Sequence, residues 1–297
     1  MDEPQRAACV VCGAALSRNV AVRLGPSFLC SCNHCGSWTY LPRPSAAEQA
    51  AIHDNPEYYE HPYFNLRRTI TSAQRRRCRD LFARLSTGVE SSSLVGERLL
   101  DIGCDTGTFL KTASEQFGIV PVGLDVSERA VQEAVQQGVE AYRSKIEDAP
   151  AHLADFQVIT AIDLLEHVPD PAAFLREVRQ RLRPGGVLYL ETPNIRSVVY
   201  RFGKLLAAVT GGRPAGLIAR LFPEQHIQYF TPTSLHSVAR KAGYEVVQLG
   251  CRVLPASDIA ASLVPLLAIG ALQAFDRLLK TEILIWAVFR RPPARSQ

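Results

Sequence analysis

Between residues 98 and 190 short apolar runs alternate with amphipathic ones, and that alternation constrains the fold more than any other feature of the chain. Arg98–Ile102 reads as a strand with an acid, Asp101, near its end, followed by a glycine turn and a helix over Thr108–Phe117. Val120–Asp125 is a second strand ending on an acid, with Ser127 placed to cap the next helix. Val139–Tyr142 and Phe156–Ile162 are the third and fourth, the latter nearly all apolar, as a strand covered on both faces must be. A helix over 171–182 stops at Pro184-Gly185-Gly186, and Val187–Leu190 is the fifth strand. Beyond it, a helix from Thr233 to Ala242 and strands at Tyr244–Leu249 and Glu282–Phe289 complete the pattern. Strands alternating with helices in this way build a parallel sheet with helices on both faces, an α/β doubly wound fold.

A hydrophobic content of 47% over 297 residues supplies a sizeable core, which excludes disorder and repeat polymers. The net charge of +4 is too small to indicate nucleic acid. Two apolar stretches interrupt the plan, near 197–222 and 257–280. Residues 259–275 fall short of about 20 apolar residues and contain Ser262, Pro265, Gly270 and Gln273, so no transmembrane span is expected. Both stretches read as apolar caps beside a cleft, with peripheral membrane contact left open. No basic segment followed by an apolar run opens the chain, and a cytoplasmic location is expected.

Five of the eight cysteines fall within the first 35 residues. Cys9-Val10-Val11-Cys12-Gly13 and Cys32-Asn33-His34-Cys35-Gly36 are two CxxCG knuckles, each placing two thiolates on one side of a tight turn. Their spacing predicts a closed four-cysteine structural zinc site of Cys9, Cys12, Cys32 and Cys35. Cys30 and His34 are off the knuckle positions.

Asp101-Ile102-Gly103-Cys104-Asp105-Thr106-Gly107 joins the first strand to the first helix, and its glycines let backbone approach a ligand closely. It lacks the G-x-G-x-x-G of a dinucleotide site, and an acid-rich loop suits a ligand with an amino group better than a pyrophosphate. These residues, with Asp125 in VGLDVS, IDLLEHVPDP from Ile162, LRPGG from Leu182 and EQHIQYFTP from Glu224, resemble the class I S-adenosylmethionine-dependent methyltransferases. More closely, they resemble a bacterial small-molecule subgroup with an N-terminal CxxC pair. The resemblance implies a seven-stranded Rossmann-like sheet and S-adenosylmethionine as cofactor, leaving as S-adenosylhomocysteine. It also implies a cofactor site of Asp101, Gly103, Cys104, Asp105 and Gly107 at the methionine end, Asp125 and Val126 at the ribose, Ile146 and Glu147 at the adenine rim, and Asp163. Asp105 stands where that family's first motif has a glycine.

If the acceptor is a hydroxyl, a histidine base suits neutral pH, and His167 and His226 are the candidates. Tyr58, Tyr59, Tyr63 and Phe64 read as packing or a lid, and the arginines from Arg67 to Arg79 as a solvated helix face. The expected organisation is a zinc ribbon over 1–41, linking helices over 42–94 and a catalytic region over 95–297. The expected activity is methyl transfer, most simply O-methylation, to a bulky or hydrophobic small molecule. The competing readings are an RNA methyltransferase and a non-catalytic scaffold; the acceptor and oligomeric state are left open. Against RNA, the first 41 residues hold Arg6, Arg18 and Arg23 but no lysine.

Overall fold

The computed structural model describes residues 8–16, 19–45, 48, 70–89, 93–212, 215–254 and 263–293. The aromatic segment with Tyr58, Tyr59, Tyr63 and Phe64 and the start of the second cap lie outside the described residues.

The main sheet is built from seven strands: β4 (Arg98–Ile102), β5 (Val120–Asp125), β6 (Glu140–Arg143), β7 (Phe156–Ile162), β8 (Leu182–Pro193), β10 (Glu245–Arg252) and β11 (Leu284–Arg290). Their spatial order is β10-β11-β8-β7-β4-β5-β6. β4 to β8 pair in parallel, while β11 runs antiparallel to both its neighbours. The chain order reverses between β4 and β7, and such switch points open a crevice at the carboxyl ends of the strands.

The helices end where local chemistry requires. Helix α1 (Ser72–Leu85) opens with a capping box between Thr71 and Gln74 and buries Cys78, Leu81, Phe82 and Leu85. Helix α2 (Thr108–Phe117) starts at Gly107 and stops at Gly118, both in the left-handed region. Ser127 caps α3 (Glu128–Gln136), Asp170 caps α4 (Pro171–Arg181), and Thr231 caps α7 (Pro232–Lys241). The first apolar stretch forms α5 (Val198–Thr210) and α6 (Ala215–Leu221), and the second contains α8 (Leu263–Leu279).

The fifth parallel strand is longer than Val187–Leu190, because Pro184-Gly185-Gly186 does not end pairing. Gly185 N–H donates to Arg291 O, and Arg291 N–H donates to Gly186 O, both at 2.9 Å. A Cβ on Gly186 would lie 2.8 Å from Phe156 O, so the glycine allows the strand to bulge within the sheet.

The cysteine segment contributes β1 (Val20–Leu24), β2 (Ser27–Ser31) and β3 (Trp38–Leu41) to an antiparallel sheet that continues into β9 (Gln228–Tyr229). Trp38 pairs with Tyr229 and Thr39 with Gln228. Cys9, Val11, Leu16 and Cys32 share one buried cluster with Phe230, Leu235 and Val238. The cysteine knuckles and the segment carrying His226 are therefore parts of one packed body.

Candidate functional site

The glycine-rich loop after β4 has two glycines in backbone that other residues resist. Gly103 and Gly107 have φ of +76° and +75°, and a Cβ on Gly107 would meet Ala134 Cβ at 3.0 Å. Gly103 and Cys104 N–H both donate to Leu124 O, at 2.8 and 3.0 Å. Asp105 adopts φ +47°, and its N–H donates to Asp125 Oδ2 at 2.9 Å. Ser127 N–H donates to Asp125 Oδ1, so the second acid ties the first loop to the next helix. Enclosure by protein pushes the Asp125 carboxyl up, and the N–H groups of Ser127 and Asp105 oppose that shift. Burial pushes the Cys104 thiol far up, so it stays protonated packing.

Asp101 is buried and accepts from Thr160 Oγ1 at 2.6 Å. It lines a cavity of about 100 Å³ with Gly103, Cys104, Asp105, Arg77 and Phe109. That is below the ~300 Å³ of the smallest usual ligand pockets, so it has room for one end of an extended cofactor. An acid in an enclosed pocket beside a glycine cradle fits the amino-acid end of S-adenosylmethionine.

The cavity brings together Asp101, Gly103, Cys104 and Asp105; its lining does not include Gly107, Asp125, Val126, Ile146, Glu147 or Asp163. Val126, just past the end of β5, and Glu147 are both exposed. Ile146 is buried in the main core, and its carbonyl accepts from Arg181. Asp163 has φ +53° and lies 3.7 Å from Arg77 Nη2.

The two histidines meet each other, and neither lines that cavity. His167 sits in a short 3-10 turn after β7, with Nδ1 2.9 Å from Gln225 O. A carbonyl can only accept, so Nδ1 carries the proton and Nε2 is left as the basic nitrogen. The His226 ring stands edge-on to His167 at 4.8 Å, and no described group bonds its buried Nδ1. Burial lowers its pKa to about 3, so it is neutral at physiological pH. Glu166, buried and bonded to Thr192 Oγ1, completes a trio whose ligand atoms lie within 4.8 Å of one another, an arrangement able to hold a divalent cation.

Sequence reasoning missed Glu191. It is 1% exposed, pairs with Arg252 Nη2 at 2.6 Å and Arg77 Nη2 at 2.9 Å, and accepts from Tyr189 O–H at 2.5 Å. Burial alone would raise its pKa, but Arg252 and Arg77 outweigh it and hold the carboxyl well below the carboxylate range. Arg77 therefore points into the protein, and its stretch of α1 is not a plain solvated face. An acid closing the apolar run Val187–Leu190 was the available signal; its partners are 114 and 61 residues away.

Cys9, Cys12, Cys32 and Cys35 place their sulfurs within 4.8 Å of one another, with Cys9–Cys35 at 3.7 Å and Cys12–Cys32 at 3.6 Å. A tetrahedral zinc with Zn–S of about 2.3 Å separates sulfurs by roughly 3.8 Å, whereas a disulfide would need about 2.05 Å. The four thiols thus fit a zinc ion. Cys30 lies in β2, outside the group. Gly13 and Gly36 close the knuckles with φ of +83° and +73°.

A family model described as "Methyltransferase domain" matches residues 70–249, so the cysteine knuckles lie outside it. Ubiquinone biosynthesis O-methyltransferase from Aromatoleum aromaticum is 32% identical over 169 residues, covering 54% of this chain and 68% of that protein. Its namesake from Thiobacillus denitrificans is 34% identical over 166 residues, covering 52% and 68%. Among solved structures, the plantazolicin methyltransferase BpumL with bound SAH aligns with TM-score 0.55 at 18% identity, covering 82% of this chain and 94% of that one. The [4+2]-cyclase SpnF aligns with TM-score 0.56 at 19% identity, covering 85% and 99%, a reminder that this fold alone does not name a reaction. With the family model spanning more than half of the chain and two relatives above 30% identity, the chain belongs to the S-adenosylmethionine-dependent methyltransferases.

Proposed function

We propose that this enzyme methylates a hydroxyl oxygen of a hydrophobic biosynthetic small molecule, and that a single structural zinc holds its N-terminal knuckles. The observation that carries the hydroxyl reading is His167, whose Nε2 is left basic by the Nδ1 contact to Gln225 O. The names of the curated relatives support the same class of acceptor.

When bound, S-adenosylmethionine supplies a methyl group on an electrophilic sulfonium. Asp101 would hold the amino group of its methionine end, and the Gly103–Gly107 loop would let backbone close around it. Asp125 would hold the ribose hydroxyls, with Val126 beside the ribose and Ile146 and Glu147 towards the adenine rim. Asp163, 3.7 Å from Arg77 Nη2, would face the methionine end or the acceptor. His167 Nε2 would take the acceptor's hydroxyl proton while the acceptor oxygen gains the methyl group, the methyl–sulfur bond breaking and S-adenosylhomocysteine leaving; His226, beside it, stays neutral.

Purified zinc-loaded protein, incubated with cofactor and panels of phenolic, sugar and lipid-linked alcohols, is expected to methylate at least one by mass spectrometry. His167→Ala should lower kcat by about 10²–10⁴-fold with little change in cofactor affinity. Turnover on RNA with none on any small molecule would refute the assignment.

A further inference from the structure

We infer that helices α5 and α8, with the basic pocket beside them, dock this protein on the surface of an anionic phospholipid bilayer. The inference is independent of which acceptor atom is methylated. Helix α5 buries Val199, Tyr200, Gly203 and Ala207 and turns Phe202, Leu205 and Val209 outward, the last two 61% and 77% exposed. These three share one face, since they are three and four residues apart. Helix α8 packs against α5 and repeats the arrangement, burying Gln273 and Asp276 while Phe275, Leu278 and Leu279 are exposed. Buried Asp276 locks the pair together, accepting from Ser197 O–H and Val198 N–H at 2.7 Å. Large apolar side chains held outward on two rigidly joined helices mark an interaction surface, not scattered exposure.

Charge decides the occupant. No acid occurs between Glu191 and Glu224, whereas Arg196, Arg201, Lys204, Arg213 and Arg220 all fall in that interval. Arg196, Arg201 and Lys204 line an open pocket of about 460 Å³ with His34 and Thr233, and among the described residues no acid lines it. Lys204 Nζ also sits 5.4 Å from the Trp38 ring, which anchors this basic rim to the zinc-bearing sheet. Apolar faces edged by cations match the interface of an anionic membrane, where each basic residue adds several-fold to partitioning. A second copy of the same surface would bring like charges together.

The pairing register puts these elements at the cleft. Pro193 at the end of β8 lies opposite Leu284, and Leu284 opposite Arg252, so both caps emerge at the sheet edge that carries Asp163. A membrane-dissolved acceptor would reach that edge without crossing water.

The test is flotation of the full-length zinc-loaded protein with vesicles of phosphatidylcholine alone or containing about 30% phosphatidylglycerol. At low salt the anionic vesicles should carry at least about tenfold more protein, and raising salt should reverse this. Leu205→Ser with Leu278→Ser, and separately Arg201→Gln with Lys204→Gln, should each cut flotation by about fivefold or more. Melting temperature and cofactor binding should be retained, since these side chains are exposed. Equal flotation on neutral vesicles, none on anionic ones, or unaltered flotation of both variants would overturn the inference. So would a dimer in sedimentation velocity that the serine variant dissolves without any vesicle binding.

Discussion

Arg252 and Glu191 form a two-pronged ion pair inside the protein, with Nη2–Oε2 at 2.6 Å and Nε–Oε1 at 2.9 Å. It joins β10 to β8 across the intervening strand β11, and Arg77 adds helix α1 to the same carboxylate. The parallel half of the sheet, its antiparallel edge and the covering helix therefore meet at one buried charge.

Removing one side of that pair should be costly. Arg252→Met leaves Glu191 with Arg77 as its remaining cation beside the Tyr189 O–H, and a loss near the lower end of about 3–5 kcal/mol is expected in urea denaturation. Glu191→Met combined with Arg252→Met should recover part of it. Because the folded carboxyl titrates below its unfolded value of about 4.3, its contribution is complete above that pH and fades as pH falls below it. A single-variant loss under about 1 kcal/mol would show that the network does not hold these elements together.

The four-cysteine site should matter to catalysis although none of its cysteines lines the cavity. Tyr40 N–H donates to Ile227 O at 3.0 Å and Thr231 O–H donates to Cys35 O at 3.2 Å, so the knuckles brace the segment that carries His226. Elemental analysis should find one zinc per chain. Chelation, or Cys32→Ser, should lower methyl transfer by about tenfold or more while calorimetric cofactor affinity changes by under about threefold. Metal-free protein with full activity would contradict this role.

His226 should leave a signature in the pH dependence of stability. Its pKa is lowered to about 3 in the folded state, against an ordinary 6.5 unfolded, so the unfolded chain binds the extra proton first. Stability should fall as pH drops from 6.5 towards 3, with this residue adding up to about 1.4 kcal/mol per pH unit. His226→Asn should flatten that slope. Parallel slopes for variant and wild type would show that the imidazole is not held neutral.

Asp105 holds a left-handed conformation, φ +47°, that glycine adopts freely. Asp105→Gly should therefore raise stability by about 1 kcal/mol, less the entropy glycine gains when unfolded. Its N–H bond to Asp125 remains available to any residue, so the loop should keep its shape. A loss of more than about 1 kcal/mol would mean that the Asp105 carboxylate itself supports the loop.

Features written in contiguous residues are legible in the amino-acid order itself. The loop from Asp101 to Gly107 is such a feature: its turn depends on which residues tolerate positive φ, and glycine spacing displays that directly. The two CxxCG knuckles are another, because their bond geometry is set within five residues each. Helix limits at Thr71, Ser127 and Thr231 follow from side chains bonding backbone three positions away.

What joins distant segments is not legible in that order. Arg77 reads as one more exposed arginine until the packing of α1 sets it against Glu191, and Arg252 reaches the same carboxylate from a strand inserted near the chain's end. Strand β9 is hidden because two residues carry no periodicity, and only pairing with Trp38 and Thr39 makes them a strand. His167 and His226 are each visible, but their contact depends on a carbonyl from Gln225 fixing one ring beside the other. Local conformation follows from the residues that adopt it; the pairing of charges, edges and rings depends on which surfaces the folded core presses together.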